Sequence, residues 1–384
     1  MDSLEIIEMN RFVIVIVVLC SSVFTENLSA QAIQNSSTMK FSARIQNLGL
    51  VEVQGEEIET NLLVRRARLK FEGDAINPKF QYKVELGLTN RDHGSPVPQT
   101  NNSARIILDA FVKYEIGGNT HLWFGQTKLP GNRERVISSA KLQFVDRSLL
   151  NSNYNIDRDM GVQLHQKFDV GNMKAKAIVS ISQGEGRNIT SGNEGGFDYT
   201  GRVELLPFGS FTSKGDYFAS DLKREEEPKL AIGLTYDYNV DASRQRGNTG
   251  SFLGQTRTLS TIFADLMFKY KGFSVMGEYA VKSSDESPVF VDEEDGLEYF
   301  FTTGSALNLQ AGYLLQSDWE LAARFTSVTP DAILEQDDVS MYTFGISKYI
   351  DGHNLKVQSD VSIISEGDME ETFLARLQFE LSFN

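Results

Sequence analysis

The end of the chain restricts the possible folds more than any other part of the sequence. Six apolar residues recur there at a strict spacing of two: Phe373, Ala375, Leu377, Phe379, Leu381 and Phe383. The residues between them are polar, apart from Leu374. Since alternate side chains of a β-strand point to opposite faces, this pattern predicts a strand with one apolar and one polar face. Such a strand fits the closing strand of a membrane barrel, although the edge strand of a soluble sandwich would show the same alternation.

The same alternation recurs along the chain and decides between these two folds. About sixteen segments show it, each close to the roughly 9–11 residues that a tilted membrane strand requires. After a first strand that opens with Phe41, they cover residues 62–73, 80–88, 106–115, 121–129, 160–169, 173–183, 197–206, 229–239, 259–270, 273–282, 305–316, 319–328, 341–350, 355–365 and 373–383. An even number of strands is typical of bacterial single-chain barrels.

The connections between these segments alternate in length. Long polar connections cover residues 91–104, 130–159, 184–195, 240–257, 283–304 and 329–340, and most of the others are short turns. The exception is the connection over residues 208–228, which is long although the alternation predicts a short turn there. It contains a charged run that favours a brief helix. The pattern predicts an all-β transmembrane antiparallel β-barrel of about 16 strands, with short periplasmic turns and long extracellular loops.

The N-terminus carries the features of an export signal. Residues 12–24 form an apolar run that follows Arg11 and is too short to span a membrane as a helix. Leu28-Ser29-Ala30 offers a cleavage site with small residues. We therefore predict a signal peptide over residues 1–30, a short lead over 31–39 and the barrel over 40–384, exported to the bacterial outer membrane. The only cysteine, Cys20, would be removed with the signal.

Composition and residue types exclude several functions. A net charge of −15 argues against a nucleic-acid partner. None of the four histidines has a serine and an orienting acid in a pattern typical of hydrolases, so no enzyme activity is predicted. The acidic run at residues 292–295 could hold a divalent cation, but it lacks EF-hand spacing and a solvated loop is the favoured interpretation. No cofactor and no metal are expected.

Basic residues on two strands are predicted to face the lumen. Arg66, Arg68 and Lys70 share the inward parity of one strand, and Lys83 has that of the next. An outward Arg or Lys at mid-membrane would cost about 2–4 kcal/mol, which favours this orientation. Arg65 has the outward parity and would reach lipid headgroups. The inward set could form an anion ladder, or it could be ordinary lumen polarity balanced by acidic neighbours.

The connection over residues 130–159 is predicted to fold back into the barrel and form its constriction. It is longer than a simple link between neighbouring strands requires, and it carries too many apolar residues to remain in water. Counted from Lys128, the segment holds four acidic and six basic residues: Lys128, Arg133, Arg135, Lys141, Arg147 and Arg158. These six complete the predicted anion pathway. The alternative is a loop packed on top of the barrel or against a partner subunit.

Several short segments resemble one family of outer-membrane proteins. They are Arg65 to Gly73 (RRARLKFEG), Phe124 to Pro130 (FGQTKLP), Arg158 to Val162 (RDMGV), Lys214 to Tyr217 (KGDY) and Lys229 to Gly233 (KLAIG). They are similar to segments of the phosphate-selective porin O/P family. The resemblance implies a sixteen-stranded, homotrimeric porin that passes anions, phosphate in the best-known members, by means of basic clusters on the wall and in an infolded loop.

Together, these observations predict a passive outer-membrane channel for small hydrophilic solutes, with an anion preference of the phosphate type. Its expected partners are outer-membrane lipids, small anionic solutes and two further copies of the chain. The alternative function is a non-conducting barrel that serves as a scaffold or surface-binding protein through its long loops.

Overall fold

The computed structural model describes residues 37–94, 96–190, 196–292 and 296–383. The predicted signal peptide and most of the predicted lead lie outside the described residues. No helix within these ranges is long and apolar enough to cross a membrane.

Sixteen antiparallel strands close into a single barrel, so the predicted fold class is confirmed. The barrel strands are β1 (Lys40–Gln54), β2 (Glu57–Asp74), β3 (Phe80–Gly87), β4 (Ile107–Gly117), β5 (Thr120–Lys128), β6 (Arg158–Val170), β7 (Met173–Ser182), β8 (Asp198–Leu206), β9 (Lys229–Arg244), β10 (Phe252–Tyr270), β11 (Phe273–Ser284), β14 (Gly304–Leu314), β15 (Trp319–Pro330), β16 (Val339–Asp351), β17 (Leu355–Glu366) and β18 (Thr372–Phe383). A separate hairpin, β12 (Val289–Val291) and β13 (Glu298–Phe300), lies between β11 and β14. Each barrel strand pairs with its neighbours in the chain, and β18 closes the barrel by pairing with β1.

The alternation of β18 is visible in its burial. Phe373, Leu377, Phe379, Leu381 and Phe383 are exposed on the outside, while Arg376, Gln378 and Glu380 are buried inside. Strand β9 repeats this arrangement. The barrel therefore has an apolar outer face and a polar interior, as a wall in contact with hydrocarbon requires.

Arg65 departs from the predicted orientation because of a β-bulge in β2. The pairing of β1 with β2 shifts between Gln46 and Asn47, which face Arg66 and Val64 respectively. Arg65 is the extra residue of the bulge, so the parity rule fails there. Its side chain is buried and pairs with Asp146, and it does not reach the outside. The prediction that Arg65 faces headgroups is therefore wrong.

The predicted long connections all lie at one rim of the barrel, where short turns also join β1 to β2 and β17 to β18, and the remaining short turns lie at the opposite rim. Strands β9 and β10 extend into the predicted 240–257 loop, and β12 with β13 occupies part of the 283–304 loop. At the short-turn rim, residues 207–228 form the one long connection. It contains a short 3₁₀ segment at Thr212–Tyr217, while its charged run forms turns and not the expected helix.

Within the described ranges, three short α-helices lie in the connections: α1 (Asn90–His93), α2 (Arg133–Val136) and α3 (Leu149–Tyr154). Helices α2 and α3 belong to the connection between β5 and β6, residues 129–157, which we call the internal segment. It lies inside the barrel, as the sequence predicts.

Candidate pore and its lining

The internal segment crosses the lumen and docks on the far wall. Arg133 Nε donates to Asp265 on β10 at 2.7 Å, and its Nη2 lies 3.2 Å from Glu204 on β8. Gln143 Nε2 donates to Glu320 on β15 at 2.7 Å. These contacts join residues far apart in sequence and hold the segment against the β8–β17 side of the barrel. The internal segment therefore fills part of the lumen.

Apolar packing adds to these polar anchors. Ile137, Leu142, Phe144 and Leu150 of the segment are all buried. Full burial of each such side chain contributes roughly 1.5–3 kcal/mol, which explains why the segment does not remain in solvent. The wall provides space for it at Gly345 on β16, where an added Cβ would lie 3.0 Å from a ring carbon of Phe144.

The long connection at the short-turn rim supports the internal segment from below. The backbone N–H of Ala219 donates to the carbonyl of Lys141 at 3.0 Å. Lys141 Nζ lies over the ring of Phe218, 3.8 Å from its centroid. Lys269 on β10 donates to the carbonyls of Gly215 and Ser220 and fixes the connection to the wall. Two irregular segments therefore narrow the lumen together.

A cavity of about 1300 Å³ lies between the internal segment and strands β1–β8. Among the described residues, eighteen lysines and arginines line this cavity, against seven aspartates and glutamates. The whole chain carries a net charge of −15. Positive charge is thus concentrated on the inner surface of an acidic protein.

The predicted pathway residues are almost all brought together at this cavity. Its lining includes Arg66, Arg68, Lys70, Lys83, Lys128, Arg135, Lys141, Arg147 and Arg158. Arg133 is different. Its side chain is completely buried on the side of the internal segment that faces the wall, between Glu204 and Asp265, and it does not line the cavity.

Most of the predicted wall cations are ion-paired. Arg68 pairs with Asp92 and, at 3.4 Å, with Glu85. Lys70 lies 2.9 Å from Glu72. Lys83 contacts Asp109 at 2.6 Å and also Glu85. Acidic neighbours therefore balance these wall cations in the structure. Elsewhere in the lining, cations outnumber carboxylates.

Eight cations of the lining have no carboxylate within 4 Å among the described residues. They are Arg91, Lys113, Lys128, Lys141, Arg147, Lys167, Arg187 and Lys214. Some of them donate to backbone carbonyls, as Lys128 Nζ does to Arg135 at 2.6 Å. Burial, together with Lys70 and Lys214, lowers the pKa of Lys141 below the ordinary lysine value. These basic groups form the part of the lining that no carboxylate neutralises by direct contact.

Several lining residues were not among the predicted set. Lys113 on β4 and Trp123 on β5 both face the cavity, with Lys113 Nζ 4.4 Å from the Trp123 ring centroid. Strand parity could have identified both of them. Lys214 lies in the irregular 207–228 connection, where no period exists, so the sequence gives no signal for its position.

A closed antiparallel barrel of sixteen strands, with an apolar outer face and a lumen narrowed from within, is the architecture of an outer-membrane porin. The chain belongs to the family of phosphate-selective porins O and P, whose family model matches residues 40–362. It is therefore an outer-membrane channel protein by family.

Solved structures of porins share this fold at low sequence identity. The anion-selective porin of Comamonas acidovorans is 10% identical with a TM-score of 0.58, and the match covers 91% of this chain and 100% of that one. The outer membrane channel DcaP of Acinetobacter baumannii is 11% identical, with a TM-score of 0.57 and coverage of 90% and 97%. The trimer form of OmpT from Vibrio cholerae is 11% identical, with a TM-score of 0.51 and coverage of 90% and 100%. No curated protein matches the chain in sequence.

Proposed function

We propose that this protein is a passive diffusion channel that prefers small anions, including phosphate-type oxyanions. The observation that carries this proposal is the excess of cations around the cavity, eighteen against seven carboxylates among the described residues. Charge of one sign in a narrow cleft with low-dielectric walls concentrates ions of the opposite sign. The acidic total of the chain does not determine this local effect, because exposed charges more than about 8–10 Å away are largely screened at physiological salt.

The cations without carboxylate partners contribute most directly to anion contact. An ammonium or guanidinium group whose donors are not taken up by a carboxylate can offer them to a passing oxyanion. Lys113, Lys141 and Lys214 come from three different segments and lie on one cavity. Several weak contacts of this kind favour entry of an anion without holding it for long.

Two comparisons support the proposal. The family is named for phosphate selectivity, and one structural neighbour is described as anion-selective. Because another neighbour has a trimer form, we also propose a homotrimer for this chain. The exposed apolar side chains of the barrel strands would contact outer-membrane lipids and the neighbouring subunits.

Single-channel recording separates this function from that of a non-conducting scaffold. Purified protein added to a planar bilayer in KCl should produce discrete, long-lived current steps. Folded protein that inserts into the bilayer without current steps would contradict the proposal and favour the scaffold function.

A further inference from the structure

The internal segment places a carboxylate of its own among the arginines of the pore wall. Asp146 Oδ1 accepts a hydrogen bond from Arg65 Nη2 at 2.6 Å and lies 3.6 Å from Arg66 Nη2. Its other oxygen is 3.9 Å from Arg376 Nη1 on β18. The backbone carbonyl of Asp146 accepts from Arg324 Nη1 at 2.9 Å. Four arginines from β2, β15 and β18 thus surround this one residue.

The other two carboxylates of this region hold the internal segment. Asp360 accepts from the backbone N–H of Val145 at 2.9 Å, and Glu134 accepts from the hydroxyl of Ser148 at 2.6 Å. Among the described residues, the side chain of Asp146 contacts arginines and accepts no hydrogen bond from the segment's own backbone or hydroxyl groups. Its ion pairs therefore join the segment to arginines of the wall, and not to the segment's own backbone.

Asp146 is also more exposed to solvent than the other two carboxylates, Asp360 and Glu134. Its side chain is 22% exposed, compared with 0% for Asp360 and 1% for Glu134. Arg65 and Arg66, its nearest partners, line the cavity. Burial alone would raise the pKa of Asp146, but Arg65 and Arg66 hold it below the usual range, so the carboxylate is charged at neutral pH.

We infer that Asp146 is a built-in counter-anion that sets how tightly the pore holds a passing anion. A carboxylate offers guanidinium groups the same geometry as a small oxyanion, so it occupies the contacts that a mobile phosphate or carboxylate would otherwise take. Because it is tethered, it competes at a high effective concentration. Solute anions therefore meet arginines that are already partly satisfied, and they leave quickly. This inference rests on the proposed anion-preferring function.

The test is the block of chloride current by inorganic phosphate, measured on single channels of the full-length protein. Asp146→Asn should lower the half-blocking phosphate concentration by about tenfold, because two guanidinium groups of the lining lose their internal acceptor. Asp169→Asn is the matched control, since it removes the same charge where Asp169 pairs with Lys174 on the same cavity, away from the arginines. It should change the block much less.

The possible outcomes separate the inference from the proposed function. A phosphate block in Asp146→Asn equal to that of the unmodified, anion-preferring channel would overturn the inference alone. A larger conductance with a weaker block would show that Asp146 only anchors the segment, which also overturns it. Asp146→Ser should reproduce the tighter block, and failure of both variants to fold would identify a purely structural residue. An unmodified channel without anion preference would contradict both statements.

Discussion

At the scale of single residues, the cavity contains two kinds of cation with different effects. The paired ones, such as Arg68 and Lys70, have their donors directed at carboxylates. Their removal would leave a carboxylate at the pore surface, which attracts cations. The others, such as Lys141 and Lys214, have no carboxylate within 4 Å in the described part of the chain and can contact a solute directly.

This difference gives a prediction for two triple variants. Replacing Lys113, Lys141 and Lys214 by Gln should raise the half-blocking concentration of phosphate by about tenfold or more, since three direct contacts are lost. Replacing Lys79, Lys223 and Lys271, which lie outside the cavity lining, removes the same charge and should leave the block nearly unchanged. Equal effects of the two sets would show that only the total charge matters.

The sequence predicts residue positions well wherever the two-residue period continues. It identifies the inward Arg66, Arg68 and Lys70 from parity alone, and they do line the cavity. It misplaces Arg65 because a one-residue bulge reverses the parity, and nothing in the local composition marks the bulge. Ion pairing is also not predictable, because Arg68 meets Asp92 across a connection whose path depends on the whole barrel.

At the scale of elements, the internal segment determines the size of the pore. Its length and apolar content predict that it folds inward, because apolar side chains need a wall and the lumen face is the nearest one. Its docking partners are not predictable from sequence, since Arg133 meets Glu204 and Asp265 only when the barrel has closed. For this reason the side chain of Arg133 points to the wall and not into the cavity.

Shortening the internal segment to a Gly-Ser hairpin should raise the single-channel conductance and weaken the anion preference together. The lumen would widen, and the removed residues carry cations such as Arg135, Lys141 and Arg147. Conductance steps and the zero-current potential of the folded variant measure both effects. Unchanged values of both would show that the segment does not form the constriction.

The connection over residues 207–228 should steady the internal segment from below. Phe218→Ala removes the ring on which Lys141 lies and against which His353 packs, with centroids 5.3 Å apart. We expect more frequent current fluctuations in open channels, because the lower support of the segment is weakened. Phe208→Ala is the control, since Phe208 is 52% exposed. Equally quiet recordings from both variants would contradict this supporting role.

The closing strand β18 is the element on which barrel assembly depends. Phe383 pairs with Ala43 of β1 and is exposed on the outer face. Phe383→Asp should strongly reduce the amount of folded protein in the membrane, because a charge and a weakened strand end then face lipid. Heat-modifiable migration of the folded form on gels measures this. A normal amount of folded variant would show that the end of β18 is dispensable.

At the scale of the whole molecule, the repeated alternation of apolar and polar residues predicts the barrel and the positions of its strands. It does not predict where the strands end. All sixteen predicted strand positions coincide with barrel strands. Strands β2, β9 and β10 extend further than predicted at the long-loop rim, because the residues added there do not keep the strict alternation of apolar and polar side chains. The β12–β13 hairpin is too short to give a periodic signal.

The distribution of charge over the whole molecule is the central claim: a chain with a net charge of −15 encloses a pore with a cationic lining. The most direct test is the zero-current potential of the unmodified protein in a planar bilayer that separates two KCl concentrations. K⁺ and Cl⁻ diffuse at similar rates in water, so the sign of the potential reports the selectivity of the pore. We predict the sign that corresponds to preferential passage of chloride. A potential of the opposite sign, or one indistinguishable from zero, would contradict the account.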